Sequence, residues 1–222
     1  MKRSLGHFSK VSVFYTLYVV FFTALAFILL IIPKVESHLW LNRLNSPFFD
    51  KFFFYMTELG NGVFVVIIAV FLMFYRYRYA IGVFATFAIS EIITQLIKHL
   101  TDLPRPIKYF ENIANLHVVE GVKMLSSHSF PSGHSASAFA LCLSLAIILK
   151  NRWWQVFMFI LAITIAYSRV YLSQHFLVDI WAGSAIGTLV CAWYWNYEQK
   201  FQWNWLDKSL LSRNHTHNKQ NY

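Results

Sequence analysis

The chain has 222 residues, of which 57% are hydrophobic and 13% carry a charge. Soluble domains carry about 25% charged residues, so the composition argues against a soluble enzyme and favours a polytopic membrane protein with a single helical domain. The net charge of +9 does not indicate a nucleic-acid-binding protein, because the cations lie in short clusters between apolar runs, as membrane topology requires.

Six apolar runs are predicted to be membrane-spanning helices of one all-α bundle. Several are shorter than the about 20 residues that a helix needs to cross hydrocarbon, so we expect those helices to continue into their flanks. The first run lacks a small-residue cleavage site and is interpreted as a retained span rather than a signal peptide. The runs cover residues 11–32, 62–75, 80–100, 135–149, 154–168 and 176–195.

Composition also divides the rest of the chain. Residues 47–55 (PFFDKFFFY) are strongly aromatic and are expected either to lie along the membrane interface or to begin the second span. Residues 1–196 are assigned to one membrane domain with its motif core at 91–190. Residues 197–222 turn polar and are assigned to a cytoplasmic tail.

The distribution of lysine and arginine favours an amino terminus on the cytoplasmic side. On that map the third span ends, the fourth begins, the fifth ends and the sixth begins at the outer membrane surface. Three fragments rich in charge and histidine border these helix ends: 98–106 (KHLTDLPRP), 130–134 (FPSGH) and 168–179 (SRVYLSQHFLVD). We therefore expect a single site at the outer membrane–water interface.

Three strong cations in these fragments suit the binding of phosphate. Lys98, Arg105 and Arg169 supply charge, and an arginine fork matches two phosphate oxygens at once. Pro104 and Pro106 restrict the backbone beside Arg105, which helps to end the third helix and aim the guanidinium. One such cation would be interpreted as snorkelling from a helix end, but three beside these fragments indicate an anion site.

Two histidines and a turn complete the candidate site. In the Pro-Ser-Gly-His turn, Gly133 lets the backbone approach a ligand, and Ser132 offers a hydroxyl and an N–H at a helix amino terminus, ahead of His134. His175 and Asp179 lie four residues apart and face each other on a helix. A carboxylate bonded to one imidazole nitrogen leaves the other free to attack phosphorus, and an ionisable residue in a span is usually functional.

Other residues receive structural interpretations. Gly183 and Gly187 permit close helix packing, and Glu91, on the face of Lys98, is assigned a supporting role. The fourth span carries a similar small-residue face, formed by His134, Ala138 and Cys142. No disulfide is expected from two cysteines inside spans, and the remaining histidines lack metal-ligand spacing. The two cysteines are Cys142 and Cys191. Asp102 is interpreted as a loop or capping carboxylate. The histidines are His99, His117 and His128, in or near the outer loop, and His215 and His217 in the solvated tail.

The three fragments together resemble the signature of the type-2 phosphatidic acid phosphatases, which those enzymes share with vanadium haloperoxidases. The pattern reads Lys-x6-Arg-Pro, Pro-Ser-Gly-His and Ser-Arg-x5-His-x3-Asp, and every position is matched in order and spacing. The resemblance extends from the third span to the sixth. The first two spans and the tail carry no signature of their own.

The resemblance implies a role for each matched residue. His175 would be the nucleophile and form a phosphohistidine, Asp179 would orient it, and His134 would protonate the leaving alkoxide. The family needs no metal ion or organic cofactor. The phosphate oxygens would be held by Lys98, Arg105, Ser132, Gly133 and Arg169.

We therefore expect an integral membrane lipid phosphatase in a bacterial plasma (inner) membrane, with its active site facing the periplasm or exterior. The expected partners are a lipid phosphate and the bilayer, without nucleic acid, and the oligomeric state is left open. Phosphatidic acid, phosphatidylglycerol phosphate, undecaprenyl diphosphate and lipid A phosphate are all candidate substrates. Two alternatives are a vanadate-dependent haloperoxidase, whose known relatives are soluble, and a non-catalytic protein that binds or transports lipid phosphates.

Overall fold

A computed structural model of the protein describes residues 11–198, 200 and 203–212. Within these residues the regular structure is helical, which confirms the all-α class. The helices are α1 (Ser12–Ile31), α2 (Lys34–Asn42), α3 (Pro47–Glu58), α4 (Gly62–Tyr75), α5 (Tyr77–Thr101), α6 (Pro106–Tyr109), α7 (Gly133–Leu149), α8 (Arg152–Tyr171) and α9 (Leu177–Glu198), followed by a short 3-10 helix at Asn204–Asp207.

Side-chain caps fix where several of these helices begin. Ser46 and Ser132 accept a hydrogen bond from the amide three residues later, while Asn61 and Asn151 accept one from the amide two residues later. Each cap satisfies one of the amides that a first helical turn leaves without a partner. Helix α5 ends at Asp102, which adopts a left-handed conformation with φ of 38°.

The six-span bundle agrees with the structure approximately. By length and composition, α1, α5, α8 and α9 are able to cross a membrane. Helices α3 and α4 act as a fifth span if they are taken together, with a bend of 54° between them, and the aromatic residues 47–55 fall in α3. Helix α7 is apolar but has only 17 residues.

Helix α7 lies at the centre of the bundle, which explains how so short a helix fits. Thirteen of its 17 residues are buried, because α5, α8 and α9 pack around it. Helix α1 instead lies at the periphery and buries only three residues, among them Phe14 and Tyr18, which pack on Phe139 and Phe159. Fragments 130–134 and 168–179 therefore belong to the buried part of the fold, whereas fragment 98–106 is buried only at Lys98, Arg105 and Pro106.

Two glycines set the distance between α9 and α7. A Cβ atom added to Gly183 would lie 2.3 Å from the Ser132 carbonyl oxygen, and one added to Gly187 would lie 2.2 Å from that of Ala136. This close approach confirms the packing role of the glycine pair. The glycines contact the Ser132–Ala136 side of α7, not the small-residue face that begins at His134.

Part of the segment assigned to the tail packs on the bundle where α4 ends and α5 begins. The Tyr77 amide donates to the Lys208 carbonyl (2.9 Å), and the Leu210 amide donates to that of Met73 (3.0 Å). Arg78 bonds both Asp207 and Glu198. The histidines at 215 and 217 lie outside the described residues.

Replacing Gly187 by alanine should destabilise the bundle, because the new Cβ would meet a backbone oxygen that has no rotamer to escape to. Overpacking costs about 1–3 kcal/mol, which exceeds the roughly 1 kcal/mol that alanine gains over glycine in a helix. Thermal unfolding in detergent should show a melting midpoint several degrees lower than that of the unmodified protein.

Gly62→Ala is the matched control. Its Cβ would meet the far end of the Phe87 ring at 2.7 Å, and this ring is only partly buried and able to swing aside. We expect its midpoint to change little. Equal losses in the two variants would contradict a special role for the α7–α9 contact.

Candidate active site

The short connection between α8 and α9 holds His175 in a closed turn. The amides of Gln174 and His175 both donate to the Arg169 carbonyl, at 2.9 and 3.1 Å. Ser173 adopts a left-handed conformation with φ of 53°, which lets the chain reverse within these few residues. The His175 side chain is consequently fixed, with only 2% of the residue exposed.

Asp179 faces one nitrogen of the His175 imidazole. Its Oδ2 lies 3.3 Å from Nδ1 and also accepts from the Ser129 hydroxyl (2.5 Å) and the Phe176 amide (2.9 Å). Because an ionised carboxylate only accepts hydrogen bonds, Nδ1 carries the proton. The lone pair of the neutral ring is therefore on Nε2, which points away from Asp179.

Arg105 lies beside that free nitrogen. Its Nη1 is 3.4 Å from His175 Nε2, and the same Nη1 donates to the carbonyl and side-chain oxygens of Gln174, at 3.2 and 3.3 Å. Its Nε donates to the Ser127 carbonyl (2.9 Å). These neutral acceptors aim the guanidinium at His175 without cancelling its charge.

The start of α7 closes another side of the site. A Cβ atom at Gly133 would lie 3.1 Å from Glu91 Oε1 and 3.5 Å from Lys98 Nζ, so both side chains reach the turn. Glu91 also accepts from the Ser137 hydroxyl (2.9 Å), which fits its predicted supporting role. Only a residue without a side chain leaves room for a ligand at position 133.

Ser132 differs from expectation in one respect. Its N–H donates to the Asp179 carbonyl (3.0 Å), so this amide is not available to a ligand. Its Oγ accepts from the amide (3.3 Å) and the hydroxyl (2.9 Å) of Ser135, which leaves the Ser132 hydroxyl proton free to donate. The sequence alone did not show this division because the partner is 47 residues away along the chain.

Arg169 completes a set of three cations. It is 8% exposed, its Nη1 donates to the Thr57 hydroxyl (2.6 Å), and its Nε is buried without a partner. In the described part of the chain, neither arginine nor Lys98 has a carboxylate within 4.0 Å of its nitrogen atoms. Three buried cations beside a neutral imidazole are an arrangement that suits an oxyanion, next to a ring nitrogen with a free lone pair.

The comparison with known protein families decides the identity. A family model described as the PAP2 superfamily matches residues 79–203, more than half of the chain and all three fragments. The chain belongs to the PAP2 superfamily. This confirms the resemblance seen in the sequence.

Similar proteins support the same family. The lipid A 4'-phosphatase of Bacteroides thetaiotaomicron is 28% identical over 158 residues, which cover 67% of this chain and 69% of that protein. The crystal structure of Aquifex aeolicus LpxE superposes with a TM-score of 0.65 at 24% identity, over 75% of this chain and 94% of that one. That of a phosphatidylglycerolphosphate phosphatase from Bacillus subtilis gives 0.61 at 22% identity, over 88% and 98%. The two crystal structures share the fold of this PAP2 chain.

The structure brings all eight predicted site residues of this PAP2 protein to one end of the bundle. Lys98 is contributed by the end of α5, and Arg105 by the following connection. Ser132 caps α7, and Gly133 and His134 begin it. His134 packs against Gly60, because a Cβ atom added to Gly60 would lie 3.4 Å from the His134 Cβ. The list is completed by Arg169 near the end of α8, His175 in the connection and Asp179 in the first turn of α9.

The histidines assigned to the outer loop lie outside this cluster. His117 pairs with Asp50 (2.9 Å), and His128 pairs with Asp102 (2.5 Å). His99, expected in or near the outer loop, lies in the last turn of α5, which continues to residue 101. Among the described residues, no group of three metal-ligating side chains could hold a metal ion.

Sequence analysis missed several residues that position the site. Ser129 bonds Asp179, Gln174 bonds Arg105 and Thr57 bonds Arg169. It also missed α2, whose His38 stacks on a phenylalanine and places Nε2 3.4 Å from the Ser173 hydroxyl. Burial lowers the pKa of His38 to about 4, so it packs as a neutral ring. Of these residues, only Gln174 could have been suspected from the sequence, because it directly precedes His175.

His175 should remain neutral well below the pH at which an ordinary histidine protonates. Burial lowers its pKa to about 4, against the opposing effect of Asp179. Because a lowered pKa extends the neutral form towards acid, the free base should persist to about pH 5, whereas exposed histidines titrate near 6.5. Nitrogen NMR of histidine-labelled, phosphate-free protein measures this, with His175→Gln assigning the signal. A midpoint near the ordinary value would contradict the buried, neutral nucleophile.

Proposed function

We propose that this protein is a membrane lipid phosphatase that hydrolyses a lipid phosphate through a phosphohistidine intermediate. One observation carries the proposal: the unprotonated Nε2 of His175 lies 3.4 Å from the Arg105 guanidinium, in a site whose three cations have no carboxylate within 4.0 Å among the described residues. A phosphate group bound to those cations would present its phosphorus to a nucleophile that is already deprotonated and oriented.

The reaction has two steps. In the first, His175 Nε2 forms a bond to phosphorus while the ester P–O bond breaks, and His134 gives a proton to the departing alkoxide. In the second, water attacks the phosphohistidine, His134 takes the proton from that water, and the N–P bond breaks. Lipid alcohol and inorganic phosphate are the products, and both histidines return to their starting states.

Stabilisation of the spreading negative charge is assigned to the cations and the α7 turn. Lys98, Arg105 and Arg169 would contact the equatorial phosphate oxygens, together with the Gly133 amide and the Ser132 hydroxyl. Such preorganised donors supply most of the rate enhancement in phosphoryl transfer. Asp179 holds the Nδ1 proton of His175 and stabilises the positive ring of the phosphohistidine.

The substrate proposed is a phosphomonoester on a membrane lipid. Support comes from the relatives, which are named for lipid A and for phosphatidylglycerol phosphate, and from a site at one end of an apolar bundle. We place residues 1–196 in the phosphatase domain and 197–222 in a cytoplasmic tail. The active site then faces the periplasm or exterior of a bacterial inner membrane, where a headgroup reaches it while the acyl chains stay in lipid.

The nucleophile assignment is tested with His175→Ala. Purified protein should release inorganic phosphate from lipid phosphates in detergent with a chelator present, and the variant should release none. His99→Ala, on an exposed residue of the same outer end, is the matched control and should keep the wild-type rate. Full activity in His175→Ala would refute the phosphohistidine mechanism, and halide oxidation with added vanadate would indicate the haloperoxidase alternative.

The acid role of His134 predicts an effect that depends on the leaving group. His134→Ala should slow hydrolysis of an alkyl phosphate about 10²–10⁴-fold, the usual contribution of a general acid. Release of p-nitrophenolate needs no proton, so p-nitrophenyl phosphate should give a burst of one equivalent before slow dephosphorylation. An equal loss with both substrates and no burst would contradict the assignment.

A further inference from the structure

A polar pocket adjoins the proposed phosphate site, and apart from Arg169 its lining residues take no part in the mechanism above. Its volume is about 260 Å³, and its polar lining includes Thr57, Glu58, Lys123, Arg169 and Gln174. Pockets that hold whole small ligands have volumes of about 300–1,000 Å³. This headgroup pocket, as we call it, is therefore sized for a fragment of a ligand whose remainder lies elsewhere.

The pocket and the phosphate site share a wall. Arg169 donates to Thr57 (2.6 Å), and Arg105 donates to the Gln174 side chain (3.3 Å), so both arginines are anchored by residues that line the pocket. Among the described residues, the buried Nε of Arg169 has no hydrogen-bond partner. A group in the headgroup pocket would consequently lie directly beside a phosphate held by these arginines.

Phosphate binding does not by itself require Glu58, a carboxylate that attracts the Arg169 guanidinium at longer range than an ion pair. It is exposed on the rim, forms no ion pair with Arg169 within 4.0 Å among the described residues, and accepts only a long hydrogen bond from Asn61 (3.4 Å). A carboxylate repels phosphate oxygens, so its presence weakens the binding of the phosphate itself. An ionised carboxylate only accepts hydrogen bonds, and its natural partners are hydroxyl or N–H groups.

Lys123 provides the complementary chemistry on the same pocket. Its side chain is exposed and carries three donors with no acceptor. A hydroxyl group both donates and accepts, so a polyol or sugar satisfies Glu58 and Lys123 together. An acyl chain satisfies neither group.

We propose that the headgroup pocket binds a hydroxyl-bearing group next to the phosphate, with Glu58 accepting from a hydroxyl. This inference rests on the proposed phosphatase function and narrows its substrates to lipids whose phosphate is carried by a polyol or sugar with a free hydroxyl. Phosphatidic acid, whose glycerol is fully acylated, and polyprenyl diphosphates lack that hydroxyl. Glu58 and Lys123 determine specificity in this scheme and take no part in bond breaking.

The test compares two lipids with the same acyl chains, phosphatidylglycerol phosphate and phosphatidic acid, in mixed micelles. Wild-type protein should show the higher kcat/KM with phosphatidylglycerol phosphate, which has a free glycerol hydroxyl. Glu58→Ala should lower that preference about 10-fold or more, the usual effect of losing a hydrogen bond to a charged group. Its rate with phosphatidic acid should rise, because a charge that repels phosphate is gone.

Glu120→Ala is the matched control, since Glu120 is exposed in the same outer loop but does not line the headgroup pocket. Both substrates should keep their rates in this variant. An unchanged preference in Glu58→Ala, an equal loss with both lipids, or a wild-type preference for phosphatidic acid would each overturn the inference. Absence of His175-dependent phosphate release from these two lipids and from lipid A phosphate would instead refute the phosphatase function, and the inference with it.

Discussion

The structure depends on holding three like charges together in a buried site. Lys98, Arg105 and Arg169 are each less than 9% exposed and repel one another. Neutral groups anchor the arginines, Gln174 for Arg105 and Thr57 for Arg169, so the guanidinium groups are aimed while their charge stays available. Helix packing offsets the repulsion among these cations. An oxyanion that enters the site would remove that repulsion. Binding and preorganisation are therefore two aspects of the same electrostatic arrangement.

Local patterns carried most of the information about the candidate site. The spacing of His175 and Asp179 fixes their contact because four residues make about one helical turn, whatever the rest of the fold does. The hydroxyl partners could not be predicted, because they are far from the site residues in sequence. Ser129 reaches Asp179 across 50 residues and Thr57 reaches Arg169 across 112, and serine and threonine are too common for any one of them to signal such a contact.

The helices show the same division between local and long-range information. Hydropathy located the spans because lipid exposure requires apolar side chains, as at Leu30 and Leu100, both 85% exposed. It could not locate α2, whose sequence is mostly polar and whose buried residues, including His38, contact the nucleophile turn only in the folded chain. The turn at Ser132 was recognised, but the choice between its hydroxyl and its amide required the position of α9.

The bend between α3 and α4 has a consequence for the headgroup pocket. Helix α4 has 14 residues and is about 21 Å long at 1.5 Å per residue, whereas the hydrocarbon core is about 30 Å thick. Helix α3 supplies the rest of that span, and its exposed aromatic residues Phe48, Phe52 and Tyr55 suit the membrane interface beside the bend. The end of α3 carries Thr57 and Glu58, so the same bend that lets a broken helix complete the span also positions two residues of the headgroup pocket.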